Sequence, residues 1–527
     1  MKTVIILLCL CYLANGANIL CFFPVPFRSH YAFAKPLLAK LTERGHNLTV
    51  YTMYPEFKNS HSIKYREIDI RPCMPSKPPK PGTIDDIMAS DNIMASLQMC
   101  YEFQPKSSTE FVKCSPMDDL FKSTDQFDLF LTDLSHFDWY AGFAYKFACP
   151  MINIFPNMIL PFVADIIGAI SNPAYVPNMV SGVSPIPKMS FGDRLFNTYY
   201  YLVIKTIGSL YSIIPAEKFA REVFGDDVPP MEEIVKNTSV TFFNNYPGFH
   251  AAIPVPPNLV KVGGMNVGPA KMLPQNIEKF INESKHGVVY FCMGSLLRGE
   301  TFPPEKREAF LYAFSKIPQR VLWKWEGDVL PGKSDNIMIS KWMPQRDILA
   351  HPNVKLFISH GGLLGTSEAV YEGVPVLGIP IFGDQRTNIK SLEANGAGEL
   401  LDYNEISKEV VLEKIQRLLN DPKYKENAKL LSDRYRDRPM SPLDTAVYWT
   451  EYVIRHKGAP HLRTAAADMP WYQYLLLDVI AFIVAVLVAG LLIIYYTTKF
   501  ILRAIYGLIC GGGAKKGSSK SDKKKRN

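Results

Sequence analysis

The chain has 527 residues, 47% of them hydrophobic and 20% charged, which is enough apolar material for two sizeable cores and excludes a disordered chain. Its formal net charge of +8 points at first to a polyanion partner. Residues 498–527, however, hold nine Lys or Arg and one Asp, so the rest of the chain is neutral and a nucleic-acid partner is excluded.

The first sixteen residues read as a secretory signal. Lys2 is the positive flank, Val4 to Leu13 the apolar stretch, and Ala14-Asn15-Gly16 the small-residue cleavage site. Asn18 to Phe23 is an unbroken apolar run, expected as a buried strand. Phe33, Leu37, Leu38 and Leu41 then repeat at helical spacing up to a stop at Gly45, and Leu48 to Thr52 gives a second strand. That is a βαβ unit. Phe127 to Thr132 and Met151 to Phe155 supply two more buried strands. Asn157 to Pro215 is apolar and aromatic but broken by Pro161, Pro173, Pro177, Pro185 and Pro187, so no window in it spans a membrane. It is expected as helices packed over the first half or against lipid, with Tyr199, Tyr200, Tyr201, Leu202 and Val203 in a core or lining an apolar pocket.

The strand–helix pattern restarts near Gly287, with strands expected at Val288 to Cys292, Val321 to Trp325, Ile337 to Ile339, Val354 to Ser359 and Val374 to Ile379. The fold class is therefore α/β: two doubly wound halves joined around Pro247 to Pro257, the first over 17–250 and the second over 251–445. A helical segment follows over 446–473. Leu475 to Tyr496 is apolar apart from Asp478, and interfacial aromatics (Trp471, Tyr472, Tyr474, Tyr495 and Tyr496) flank it. Residues 474–496 are expected to cross a bilayer once, with 497–527 as a basic cytosolic tail. That tail ends Lys524-Lys525-Arg526-Asn527, a two-lysine address for return to the endoplasmic reticulum. Cys21, Cys149 and Cys292 are expected as buried thiols, and Cys73, Cys100 and Cys114 as candidates for pairing in an oxidising lumen. Asn47, Asn237 and Asn282 begin glycosylation sequons.

Chemistry enters with a decoy. Gly327 to Ser334 matches the P-loop pattern, but the next segment is a short strand and not the helix whose amides a P-loop aims at phosphate. No GxGxxG is present, and no Asp-x-Asp offers a metal clamp for a diphosphate. The stretch from Ser359 to Gln385, "SHGGLLGTSEAVYEGVPVLGIPIFGDQ", has the parts those motifs lack. A buried strand ends at Ser359, His360-Gly361-Gly362 turns the chain, and a helix is expected to start near Gly365 or Thr366. Such a turn can admit a diphosphate to its amides, with His360 donating to the oxygens and Glu368 accepting two ribose hydroxyls. The same residues also serve a plain helix start, with Thr366 as cap and Glu368 answering the dipole, so the turn alone leaves both open. Upstream, Trp342 can stack on a base and Gln345 can read its edge. Downstream, Asp384 and Gln385 can bind sugar hydroxyls.

Taken together these residues resemble the signature of the UDP-glycosyltransferases. The likeness extends to "NLVKVGGM", "GVVYFCMGS", "RVLWKWE" and the anchored, two-lysine C-terminus, and it is greatest to the insect branch. It implies the GT-B architecture, with donor on the second half and acceptor on the first. Trp342 and Gln345 become uracil contacts, His360 and Gly362 diphosphate contacts, Ser295 a phosphate neighbour, Glu368 the ribose ligand, and Asp384 with Gln385 the sugar readers. The family's base falls on His30 and its partner on Asp133. A His is suited to that work because imidazole as a class titrates near neutrality, and an Asp can fix its tautomer. The chain departs from vertebrate and plant members at Leu364, where they carry Asn, and at Gly365, where plant members carry Ser. Phosphate binding is then expected to lean on backbone amides and His360.

The function implied is inverting transfer of a hexose, glucose by the insect likeness, from a UDP-sugar to a hydroxyl or carboxyl group of a small lipophilic acceptor. No cofactor or metal is expected, the UDP-sugar being a co-substrate. The other partner is membrane lipid, in a single-pass type I protein of the endoplasmic reticulum. Self-association is neither required nor excluded. The competing expectation is a lumenal carrier that keeps the fold without turnover. Intact His30, Asp133, Asp384 and Gln385 argue against it.

Overall fold

The structure is a computed structural model that describes residues 16–56, 64–74, 108–135, 139–183, 188–295 and 297–510. The expected signal up to Asn15, Cys100, Pro185, Pro187 and the two-lysine tail lie outside the described residues. One compact unit runs to Ala467 and a second covers the remainder.

Strands in the first unit fall into two all-parallel sheets. The first contains β1 (Asn18–Phe23), β2 (Asn47–Thr52), β3 (Tyr65–Asp69), β4 (Leu129–Thr132), β5 (Met151–Phe155), β6 (Val240–Phe243) and β7 (Leu259–Lys261), in the order 3-2-1-4-5-6-7. The second contains β8 (Val288–Cys292), β9 (Arg320–Lys324), β10 (Ile337–Ser340), β11 (Val354–Ser359), β12 (Val376–Gly378) and β13 (Gly398–Leu400), in the order 10-9-8-11-12-13. The central strands are mostly apolar because both of their faces are covered, with exceptions at Asn18 of β1, Thr132 of β4 and Lys355 and Ser359 of β11. Ile19, Cys21 and Phe23 of β1 enter one core while Leu20 and Phe22 enter another. In the second sheet Val289 and Phe291 of β8 part in the same way from Val288, Tyr290 and Cys292.

The helices used below are α1 (Arg28–Glu43), α2 (Phe191–Gly208), α3 (Leu363–Glu372), α4 (Gln385–Ala394), α5 (Pro442–His456) and α6 (Leu477–Cys510). Helix α1 buries Phe33, Leu37, Leu38 and Leu41 on β1 and β2, as their spacing predicts. Helix α5 returns to the first half, where Ala446, Val447 and Val453 complete the same core and Glu451 pairs with Arg44.

Three expectations need correction, and four strands were not expected from the sequence. Strands β3, β6, β7 and β13 lack the long apolar run that marks a buried strand. Tyr65–Asp69 carries three charged side chains at a sheet edge, and Leu259–Lys261 and Gly398–Leu400 are three residues each. Because β7 pairs with β6, the first half continues past 250, and Pro247 to Pro257 is a loop within it rather than the link between halves. Helix α3 starts at Leu363, two or three residues early, because Gly361 at φ +85° closes the turn and Gly362 is already the extended cap residue. Of the tyrosines expected in a core or pocket, Tyr199 is 57% exposed, and it shares one face of α2 with exposed Phe191, Leu195 and Leu202.

Cys73 pairs with Cys114; Cys21 and Cys292 are buried thiols and Cys149 is half-buried. In the second unit, α6 is long and apolar enough to cross a membrane. It begins at Leu477 and continues past the expected end at 496, carrying Lys499 and Arg503.

Candidate active site

In both sheets the strand order reverses between two central strands, β1 and β4 in the first and β8 and β11 in the second. Open α/β sheets bind ligands beyond the carboxyl ends of those two strands. Four of the expected site residues occupy these places. His30 follows β1 and Asp133 follows β4; Ser295 follows β8 and His360 follows β11.

His30 lies in the first turn of α1, 7% exposed, and its Nδ1 is 2.7 Å from Asp133 Oδ2. Asp133 is 1% exposed and held on every side. Its Oδ1 accepts from Ser135 N at 2.9 Å and from Ser135 Oγ, its carbonyl accepts from Tyr140 OH, and the next amide, Leu134 N, donates to Asn153 Oδ1 at 2.9 Å. A carboxylate so fixed keeps the proton of its imidazole partner on Nδ1, which leaves the lone pair on Nε2. That is the arrangement of a general base and its orienting acid.

Across the cleft, His360 is wedged between two glycines. A Cβ on Gly294 would stand 2.5 Å from its Cε1, and one on Gly362 would stand 2.4 Å from its Nε2. Burial, and secondarily the nearby charge of Lys324, push its pKa down to about 4, so the ring is neutral at physiological pH. It can donate a hydrogen bond to a phosphate but brings no charge. The charge beside it is Lys324 at the end of β9, buried and 2.5 Å from Glu326 Oε1. Ser295 is exposed on the Gly294 turn.

Gln345 and Glu368 meet directly, Nε2 donating to Oε2 at 2.8 Å. Gly365 makes that possible, since a Cβ there would come within 2.9 Å of Gln345 Nε2. Burial raises the Glu368 carboxyl to about 7 against the opposing bond from Gln345 and the charge of Arg346. A pH effect follows. If Glu368 is the ribose ligand that the family resemblance implies, its ionised form is the better acceptor for two hydroxyls, so affinity for a UDP-sugar is expected to rise as pH increases through about 7. Its diphosphate carries no titrating proton in that range. Calorimetric titration of wild type and Glu368→Gln checks this, because the slope should vanish in the variant; an equal slope in both would assign it to another group.

Asp384 Oδ2 accepts from Asn388 Nδ2 at 2.7 Å, and the same Nδ2 donates to the Gly361 carbonyl at 3.0 Å, tying the loop before α4 to the glycine turn before α3. Burial raises the Asp384 pKa, opposed by the Asn388 bond and, in smaller measure, by the charge of His30. Gln385 is buried and its Oε1 accepts from Ile381 N at 2.7 Å and Phe382 N at 3.1 Å, so its carbonyl shapes the loop and only its amide nitrogen remains for a ligand. Trp342 is 60% exposed, with the Arg28 guanidinium 4.9 Å from its ring centroid. Leu364 packs against the core of the first half, which accounts for an apolar residue at that position. Arg28, Lys324 and Asn388 escape the sequence reading. The one signal for each was a polar side chain at a strand end or in a helix turn, which is ordinarily solvated.

The family model described as "UDP-glucoronosyl and UDP-glucosyl transferase" matches residues 90–511. UDP-glycosyltransferase UGT5 of Dactylopius coccus is 58% identical over 508 residues, covering 95% of each chain. UDP-glucosyltransferase 2 of the same organism is 40% identical over 522 residues, covering 98% of this chain and 97% of that one. UDP-glucuronosyltransferase 1-2 of Mus musculus is 39% identical over 352 residues, 66% of this chain and 64% of its own. Among solved structures, spinosyn forosaminyltransferase SpnP superposes with TM-score 0.56 at 16% identity, covering 84% of this chain and all of the other, and so supports the GT-B fold alone. With His30, Asp133, Ser295 and His360 beyond the ends of the switch-point strands and the match running over nearly the whole chain, the protein belongs to the UDP-glycosyltransferase family and transfers a sugar from a UDP-sugar to an acceptor.

Proposed function

We propose that the protein moves glucose from UDP-glucose to a hydroxyl or carboxyl group of a small lipophilic acceptor, with inversion at the anomeric carbon. The observation that carries this is the 2.7 Å pair of His30 and Asp133 beyond the switch-point strands of the first sheet, with His360 beyond those of the second. In the step proposed, His30 Nε2 takes the proton of the acceptor O–H and the acceptor oxygen forms a bond to C1. The bond from C1 to the phosphate oxygen breaks, and UDP departs with that electron pair. Asp133 stabilises the imidazolium that results. The leaving diphosphate is met by the His360 N–H and the first amides of α3. Trp342, Gln345 and Glu368 hold the uridine, Ser295 and Gly362 border the phosphates, and Asp384 with the Gln385 amide reads the sugar. Glucose is favoured because a relative matched over nearly its full length bears the name glucosyltransferase. A panel of UDP-sugars against alcohols, phenols and acids tests this. UDP-glucose should give the highest kcat/KM, and a preference for UDP-glucuronate would contradict it.

We also propose a type I anchor in the endoplasmic reticulum. Helix α6 supplies the span, the Cys73–Cys114 pair suits an oxidising lumen, and the exposed apolar face of α2 suits contact with lipid. Changing both Lys524 and Lys525 to Ser should release the full-length protein to later compartments; continued retention, followed by microscopy, would reject the two-lysine address.

A further inference from the structure

Arg28 belongs to the first half of the fold, yet its guanidinium lies 4.9 Å from the ring centroid of Trp342 in the second. It is the first residue of α1, two before His30. Phe27, the residue that caps this helix, has no side-chain acceptor for the first-turn amides, so beyond the His30 N–H donated to the Phe27 carbonyl at 3.0 Å that turn is held by contacts of its side chains. Three are visible. The Phe27 and His30 rings meet at 5.4 Å, His30 binds Asp133, and Arg28 reaches over Trp342 with a Glu56 carboxylate oxygen 3.9 Å from its guanidinium. Glu56 is itself tied to the sheet edge by its amide, which donates to Glu67 Oε2 at 2.8 Å. Trp342, at 60% exposed, is a large indole with little covering it. A cation over one face of an indole holds the ring in place and leaves the opposite face for a flat partner.

From this we infer that Arg28 is a positioning residue for the donor: it holds the Trp342 indole for the base of a nucleoside diphosphate sugar and, through the same contact, fixes the turn that carries His30. Donor grip and base placement then share one contact between the two halves of the fold. The inference rests on the donor assignment of Trp342, and its test separates the two.

UDP affinity and steady-state kinetics of the full-length protein are measured for wild type, Arg28→Leu, Trp342→Leu and the double variant. Arg28→Leu should weaken UDP about two- to fivefold, the range of a partly exposed cation–π pair. It should raise KM for the UDP-sugar and lower kcat while KM for the acceptor stays unchanged, a split that general damage to the fold would not give. In the Trp342→Leu background the same substitution should have no further effect on UDP affinity. An equal loss in both backgrounds would overturn the inference and leave the donor assignment standing. Tighter UDP binding by Arg28→Leu would also overturn it, since Arg28 would then be competing with the base for the ring. Unchanged UDP affinity in Trp342→Leu alone would overturn both.

Discussion

His30→Ala is expected to slow transfer to a neutral alcohol or phenol by roughly 10²–10⁴-fold, the usual worth of a positioned general base. UDP affinity should hold, because no nucleotide contact comes from the His30 side chain. The carboxylate behind it matters for a separate reason. Asp133 accepts from the imidazole and from Ser135, so Asp133→Asn puts an amide where a charge stabilised the imidazolium, and much of the rate should go with it. An acceptor already ionised at the assay pH, a carboxylate or an acidic phenol, needs no proton removed and should lose far less. Equal losses for neutral and ionised acceptors would mean that His30 positions the acceptor and is not the base.

Gly362→Ala is expected to have the second large effect. Gly362 sits at φ −60°, ψ 138°, which alanine adopts without strain, so the substitution acts through space alone. The added methyl would stand 2.4 Å from His360 Nε2, with Gly294 closing the ring's other side, and the imidazole must leave its slot. Losing a hydrogen bond to a charged oxygen costs about 1.5–3 kcal/mol, so UDP should bind roughly 10- to 150-fold more weakly. Uridine, which has no phosphate, should bind as before. Parallel titrations distinguish the outcomes: an equal loss for uridine would place His360 outside the diphosphate site.

Strands covered on both faces were legible in the sequence because double burial leaves an unbroken apolar run, as in Asn18–Phe23 and Val288–Cys292. Edge strands were not. Tyr65–Asp69 owes its state to pairing with β2, and nothing in five residues with three charges records that partner. The candidate donor residues could be picked out because all but Ser295 crowd into 342–385, around β11, the glycine turn and α3. Their fine arrangement could not be: Gly365 as clearance for Gln345, and the Gln385 carbonyl as a loop clamp, depend on side-chain directions that spacing does not carry. Arg28 and Lys324 were invisible for a related reason. A lone cation at a helix start or strand end is ordinarily solvated, and only the approach of Trp342 or His360 from far along the chain distinguishes these two.

The proposal that His30 and the donor loop act together in one displacement is tested most directly by the anomeric configuration of the product. UDP-glucose is α-linked, and attack on C1 from the His30 side, opposite the departing diphosphate, can form only the β-glycoside. Proton NMR of a freshly formed product distinguishes the anomers by the large coupling between H1 and H2 of a β-glucoside. A β-product is predicted from the first turnover; an α-product would contradict the single displacement and remove His30 from the role of base.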